Sequence, residues 1–307
     1  MSEVAVNPEE RTARSCWRGL WLDHPADWEV ARASALHEPG RLVFSDRRYH
    51  RLDVKWQQLT RKPNVYKMLE KHRRRTERQT KTRVVDLTGL PPEWHGVVRD
   101  TPDGQIAHAA RFFKPVRWIV ETVLVWPDGR DAELEYEILD SITAEDPEAK
   151  LRRWQVSGLS VELERAYDLY ASTAQVGRLH WEFRKQPKRG PELTVERLAM
   201  PEHWLKDAVR DWLREEQTED YRTQREGIVN VNGHRAHEML SWAKVTPINS
   251  LRGYKRARYE RAWLCDREQR VYRVAMTEER KDVEIEPPQS LRVKCCRDVP
   301  AVVASAT

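Results

Sequence analysis

GRLVFSDRR, Gly40–Arg48, and GRLHWEFRK, Gly177–Lys185, are the two segments from which the organisation of this chain is read. Both open with Gly-Arg-Leu, run through aromatic residues and end in basic ones. The sequence after them also matches. RLDVKWQQL (Arg51–Leu59) and ELTVERLAM (Glu192–Met200) place Leu52, Val54 and Leu59 against Leu193, Val195 and Met200. Apolar alternation of this kind marks a half-buried strand. The second segment carries extra residues, Lys188-Arg189-Gly190-Pro191, at the intervening turn. A helix is predicted next in both. NVYKMLEKHRRR (Asn64–Arg75) sets Val65, Met68, Leu69 and His72 on one stripe. EHWLKDAVRDWLREE (Glu202–Glu216) does so with Trp204 or Leu205, Ala208, Val209, Trp212 and Leu213. Apolar residues at such spacing belong on one helix face, and Pro201 suits a helix start.

A third block, GQIAHAARFF (Gly104–Phe113), aligns with GHRAHEMLSW (Gly233–Trp242), bringing His108 onto His237. Strands are predicted after each: VRWIVETVLVW and ELEYEIL around the Pro127-Asp128-Gly129 turn, then RYERAWLC and VYRVAM around Asp266–Gln269. A short helix over Pro147–Val156 closes the first copy and LRVKCC (Leu291–Cys296) the second. The expected organisation is a flexible N-terminus over 1–16, repeat units over 17–158 and 159–300, and a flexible C-terminus over 301–307. The expected fold class is α+β: two tandem copies of an antiparallel sheet flanked by helices.

This order of elements, with GLWLDHPADWEV (Gly19–Val30) as an opening apolar hairpin, resembles the PsbP-like superfamily. The resemblance covers most of the chain and is one of order and spacing. It implies an α/β/α sandwich and a protein-binding role rather than an enzyme. No binding residue transfers from it, because no functional motif of that family occurs here.

Composition sets the outer limits. Apolar residues make up 39% and charged ones 34% of 307 residues, and the 13 Trp exclude a disordered chain. A net charge of +5 is too weak to mark a nucleic-acid binder by itself. The first residues show no basic and apolar signal-peptide pattern, and no apolar run is long enough to span a bilayer. The expectation is a cytoplasmic protein with free thiols at Cys16, Cys265, Cys295 and Cys296. No Gly-rich phosphate loop and no nucleophile elbow is present, and no cofactor is expected.

Three sets of residues stand out as candidates. Lys71, Arg73, Arg74, Arg75, Arg78, Lys81 and Arg83 form a basic run that suits a polyanion or, equally, a solvated helix end. Glu215, Glu216, Glu219 and Asp220 hold the corresponding place in the second copy, so a symmetric nucleic-acid clamp is not expected. Trp94, in the loop GLPPEWHG, is the Trp expected to be exposed; with Trp204 and Trp212 it is a candidate for partner binding. His234, His237, Cys265 and Cys295, with Cys296 vicinal, are ligand types that zinc accepts. No C-x-x-C is present, and on a strand His234 and His237 point to opposite faces. The leading expectation is a non-catalytic adaptor binding a protein or peptide, monomeric as an internal pseudo-dimer. The alternatives are a nucleic-acid binder using 71–83 and a metal-dependent enzyme with its site in the second unit.

Overall fold

A computed structural model describes residues 12–34, 39–175, 177–185, 192–217, 220–244, 255–280 and 285–296. The Lys188–Pro191 turn and the 301–307 tail lie outside them. The chain divides into two compact units, Met1–Ser157 and Gly158–Thr307.

In the first unit the strands are β1 (Thr12–Trp17), β2 (Leu20–Pro25), β3 (Glu29–Ala33), β4 (Gly40–Ser45) and β5 (His50–Gln58). Helix α1 (Val65–Thr80) follows, then β6 (Val84–Asp86), β7 (His95–Thr101), β8 (Gly104–Phe113) and β9 (Trp118–Trp126). Helix α2 (Ala132–Ser141), β10 (Thr143–Ala144) and β11 (Leu151–Val156) complete it. The second unit holds β12 (Leu159–Glu164), β13 (Tyr167–Gln175), β14 (Arg178–Lys185) and β15 (Glu192–Ala199). After them come α3 (Pro201–Trp204), α4 (Val209–Glu215), β16 (Tyr221–Val231), β17 (His234–Ala243), β18 (Lys255–Cys265), β19 (Arg270–Arg280) and β20 (Arg292–Lys294).

The main sheet of the first unit is antiparallel in the order β3-β4-β5-β9-β8-β7-β6. That of the second runs β13-β14-β15-β19-β18-β17-β16. Taken in chain order, the two sheets have the same connectivity, with the helical segment after the third strand in each. Smaller pairings accompany them: β10 and β1 flank β2, and β11 pairs with β1, while in the second unit β20 pairs with β12.

Alternation builds these strands. In β5, Leu52, Val54 and Trp56 are buried while Arg51, Asp53 and Lys55 point away from the core. Gly40, opposite Trp56, leaves room for the indole: a Cβ there would sit 2.1 Å from the ring. In the smaller pairings Trp17 meets Trp154 edge to face at 5.4 Å.

The α/β/α sandwich is overturned. Of the described residues 56% are strand and 14% helix, a β-rich fold rather than sheets flanked by helices. Several local expectations change with it. ELEYEIL, expected as a strand, lies in α2. Asp131 caps that helix by accepting from the Leu134 N–H at 3.0 Å, Glu133 and Glu135 suit the positive end of the dipole, and Ile138 and Leu139 are buried. The expected 147–156 helix is β11, whose Trp154 and Val156 alternate inward. The expected 202–216 helix is broken into α3 and α4 between Trp204 and Val209. Residues 12–16, expected to be a flexible end, belong to β1.

The first two aligned blocks fall on corresponding strands, β4 with β14 and β5 with β15. The third does not. Gly104 opens β8, but Gly233 precedes β17, whose counterpart in chain order is β7. His108 and His237 therefore hold non-equivalent places. Trp94 is also corrected: it is 4% exposed, packed edge to face on Phe113 at 6.4 Å. Its backbone N–H donates to Pro91 O, and that turn folds the ring inward.

The cap on α2 gives a direct check. Asp131→Ala should cost about 1 kcal/mol in urea unfolding, while Asp131→Asn, which keeps the acceptor, should cost far less.

Candidate functional site

The register of the second sheet lines up one row of residues beneath α3 and α4. His180 faces Glu196, Glu196 faces Arg273, Arg273 faces Ala262, Ala262 faces His237 and His237 faces Ile228. Directly opposed residues share a sheet face. Helix α4 closes on this row through Val209 and Leu213, which pack with Ala262, while Leu205, Trp212 and Leu264 border that cluster.

At one end of the row is a pocket of about 310 Å³. Its apolar wall is Met200, Trp204 and Trp212, and its polar floor is Arg178, Glu196, Arg273 and Glu216. The two indoles lie 5.4 Å apart, and Trp204 Nε1 is fixed by donating to Ala199 O at 2.7 Å. Met200 is 42% exposed and sits at φ 52, in the left-handed region. The Arg273 guanidinium lies under the Trp212 ring at 5.6 Å.

The floor is closed on itself. Arg178 Nε donates to Glu196 Oε1 at 3.0 Å, His180 Nδ1 contacts the same oxygen at 2.9 Å, and Arg273 Nη1 reaches Glu196 Oε2 at 3.2 Å. Arg273 also pairs with buried Glu260 through Nε at 3.0 Å, and Arg258 joins Glu260 at 3.1 Å. Burial acts to raise the Glu196 carboxyl, but His180, Arg178 and Arg273 together hold it at about 2. The same hydrogen bond raises His180 against the effect of burial.

A second constellation lies in the same unit. His234, Cys265, Cys295 and Cys296 bring their ligand atoms within 4.8 Å of one another. His234 Nε2 is 3.5 Å from Cys296 Sγ, and the two vicinal sulfurs are 4.0 Å apart. Positive φ at Asn232 (52°) and Gly233 (82°) makes the tight hairpin that starts β17 at His234. Continuing the β17–β18 register two residues outward sets His234 opposite Cys265, the last residue of β18. Cys295 and Cys296 arrive just after β20. Backbone N–H groups of Arg267 and Glu268 bond the Cys265 sulfur, and Asn232 Nδ2 donates to Cys295 Sγ at 3.7 Å. The buried Trp263 indole N–H has no acceptor within hydrogen-bond reach, yet lies near enough to Cys295 to favour its thiolate. Burial nonetheless pushes the Cys295 thiol up to about 12.

The remaining candidates do not gather with these. His237 lies on the α4 face, lining a pocket of about 290 Å³ with Arg210, Arg214 and Glu226, and so is absent from the thiol cluster. Burial, then Arg235 and Arg210, lower its pKa. His108 packs ring to ring with His72 of α1 at 4.3 Å, and burial drives it down to about 4. Of the basic run, Arg73 pairs with Glu70 and Asp86, and Arg74 with Glu70. Lys71, Arg75, Arg78, Lys81 and Arg83 are exposed and form no ion pair among the described residues. Sequence reasoning missed Arg178, His180, Glu196 and Arg273, which lie on three strands. It set His237 among the ligands with Cys296 only beside them, whereas the cluster takes Cys296 and not His237.

No family model matches the chain, and no curated protein matches it. Among solved structures, it is similar to the apo immunity protein TplEi of T6SS from Pseudomonas aeruginosa. The identity is 11% and the TM-score 0.43, over 93% of this chain and 98% of that one. The same protein complexed with "L" peptide gives 12% and 0.40, over 91% of each chain. The Tle4–Tli4 complex gives 11% and 0.39, again over 91% of each. Likenesses at this level carry no argument about what the chain does.

The His180–Glu196 pair sets a pH dependence. A histidine raised in the fold stabilises it fully below its unfolded pKa, about 6.5, and that stabilisation is lost as pH rises through the folded value. Glu196, held at about 2, contributes above its ordinary 4.5 and loses that contribution as pH falls towards 2. The wild-type Tm should therefore fall above pH ~6.5 relative to His180→Gln. Parallel curves for the two proteins would contradict the pairing.

Proposed function

We propose that the chain is a non-catalytic binding protein that takes an apolar side chain of a protein or peptide partner into the Trp204–Trp212 pocket. The observation that carries this is the combination of a Met–Trp–Trp wall, with Met200 exposed and both indoles half-buried, and a floor whose charges are paired. Trp, Met and Arg are the residues enriched in the cores of protein interfaces. A general acid or base needs a pKa near the working pH. Glu196, held at about 2 between cations, offers none, and His180 is turned to that carboxylate rather than lining the pocket.

The charge of the floor also speaks to the ligand. Arg178 and Arg273 are met by Glu196 and Glu216, two cations against two carboxylates. A neutral floor gives an ionic ligand little to gain, so an aromatic or long aliphatic anchor fits best. A polyanion at the basic run is the second reading: Arg73 and Arg74 are engaged by Glu70, while Lys71, Arg75, Arg78, Lys81 and Arg83 stay exposed.

Selection from a random peptide library tests this. Enriched peptides should share an aromatic or aliphatic anchor and lose about 2 kcal/mol or more of binding on Trp204→Ala. Met200→Gly is the companion variant: it removes the exposed wall at a left-handed position that glycine adopts freely. Peptides that bind both variants as well as wild type would overturn the assignment.

A further inference from the structure

We infer that His234, Cys265, Cys295 and Cys296 form a structural Cys3His zinc site that fastens the β20 segment to the end of the β17–β18 pair. A tetrahedral Zn(II), with Zn–S about 2.3 Å and Zn–N about 2.0 Å, holds its sulfurs about 3.8 Å apart and sulfur from nitrogen about 3.5 Å. The cluster presents 4.0 Å between the vicinal sulfurs, 3.5 Å between Cys296 and His234, and all four ligand atoms within 4.8 Å. A disulfide needs about 2.05 Å. Four ligands for one ion leave no open position, which is the mark of a structural rather than a catalytic zinc.

Hydrogen-bond donors surround the sulfurs. N–H groups of Arg267 and Glu268 bond Cys265, Asn232 donates to Cys295, and the unsatisfied Trp263 N–H lies beside Cys295. Donors of this kind hold ligating sulfurs in place and offset their negative charge. Three thiols and an imidazole have no other evident reason to converge where the chain makes only a three-residue strand, β20. On binding, each thiol gives up its proton to solvent as its sulfur takes the metal, and His234 ligates as the neutral ring. The zinc would link three segments separated by about 30 residues each in sequence.

The test uses the full chain purified in a non-chelating reductant. Elemental analysis should find one zinc per chain. Cobalt(II) added to chelator-stripped protein should give a thiolate-to-cobalt charge-transfer band with the intense visible bands of a tetrahedral site. Cys296→Ser and His234→Ala should each weaken cobalt binding by at least about tenfold. His234→Cys should bind again with an all-sulfur spectrum, and Cys16→Ser, in the first unit, should bind as wild type. If the ligand variants fail to fold, alkylation of Cys296, the half-buried thiol, decides on wild type: zinc should slow it and chelator should restore it. No saturable zinc or cobalt binding by the reduced wild type would overturn the site. So would a disulfide among Cys265, Cys295 and Cys296 in protein prepared without oxidant.

Discussion

The pairing of β17 with β18 is the constraint on which the rest of the second unit depends. One register serves both faces of the sheet. On one face it sets His237 against Ala262 and, through β19, Ala262 against Arg273. On the other it sets Ala236 against Trp263 and carries His234 to Cys265. A slip of one residue would exchange the faces. Sliding β17 by one would carry His234 beneath α4, away from Cys265. The stacked Trp263–Tyr272 pair, 5.5 Å apart and nearly parallel, locks the neighbouring β18–β19 register from the core side.

From that register come two sites of different character. The helix face gathers charge and aromatic surface: Arg273 beneath Trp212, Glu196 between three cations, Met200 left exposed. The opposite face gathers soft ligands around a hairpin end. Both arise where a strand terminates against a short element, α3 in one case and β20 in the other. Elements of four and three residues have little hydrogen bonding of their own. Each is held by something else: the Trp204 N–H to Ala199 O for α3, and for β20 its pairing with β12, Asn232 Nδ2 to Val293 O and, on the inference above, a metal ion.

How much of this the sequence showed differs by feature. The period-two strands were legible, because Leu52-x-Val54-x-Trp56 and Leu193-x-Val195 each declare one buried face. So was α1, whose Asn64 cap and apolar stripe are local. The balance of strand to helix was not. Residues 132–141 have strand-like Ile, Leu and Tyr content, and the Asp131 cap that makes them a helix is a single residue. Trp204 and Trp212 were chosen as one helix face, yet they meet across a break between α3 and α4. Pairing Gly104 with Gly233 failed because a short G-x-x-A-H match carries less information than strand order. The Arg178–Glu196–Arg273 floor was invisible, since its members are joined only by sheet register. The thiol cluster was half visible: the ligand types were noticed, but the spacing follows no local zinc pattern. That His237 turns away from His234 follows from strand alternation, but only the β17–β18 pairing shows that His234 and Cys265 are neighbours.

The measurement that bears most directly on this account is zinc-edge X-ray absorption on the intact chain. It should show a first shell of about three sulfurs near 2.3 Å and one nitrogen near 2.0 Å. A shell of oxygen and nitrogen alone, with Cys296 alkylated equally fast before and after chelator, would contradict it.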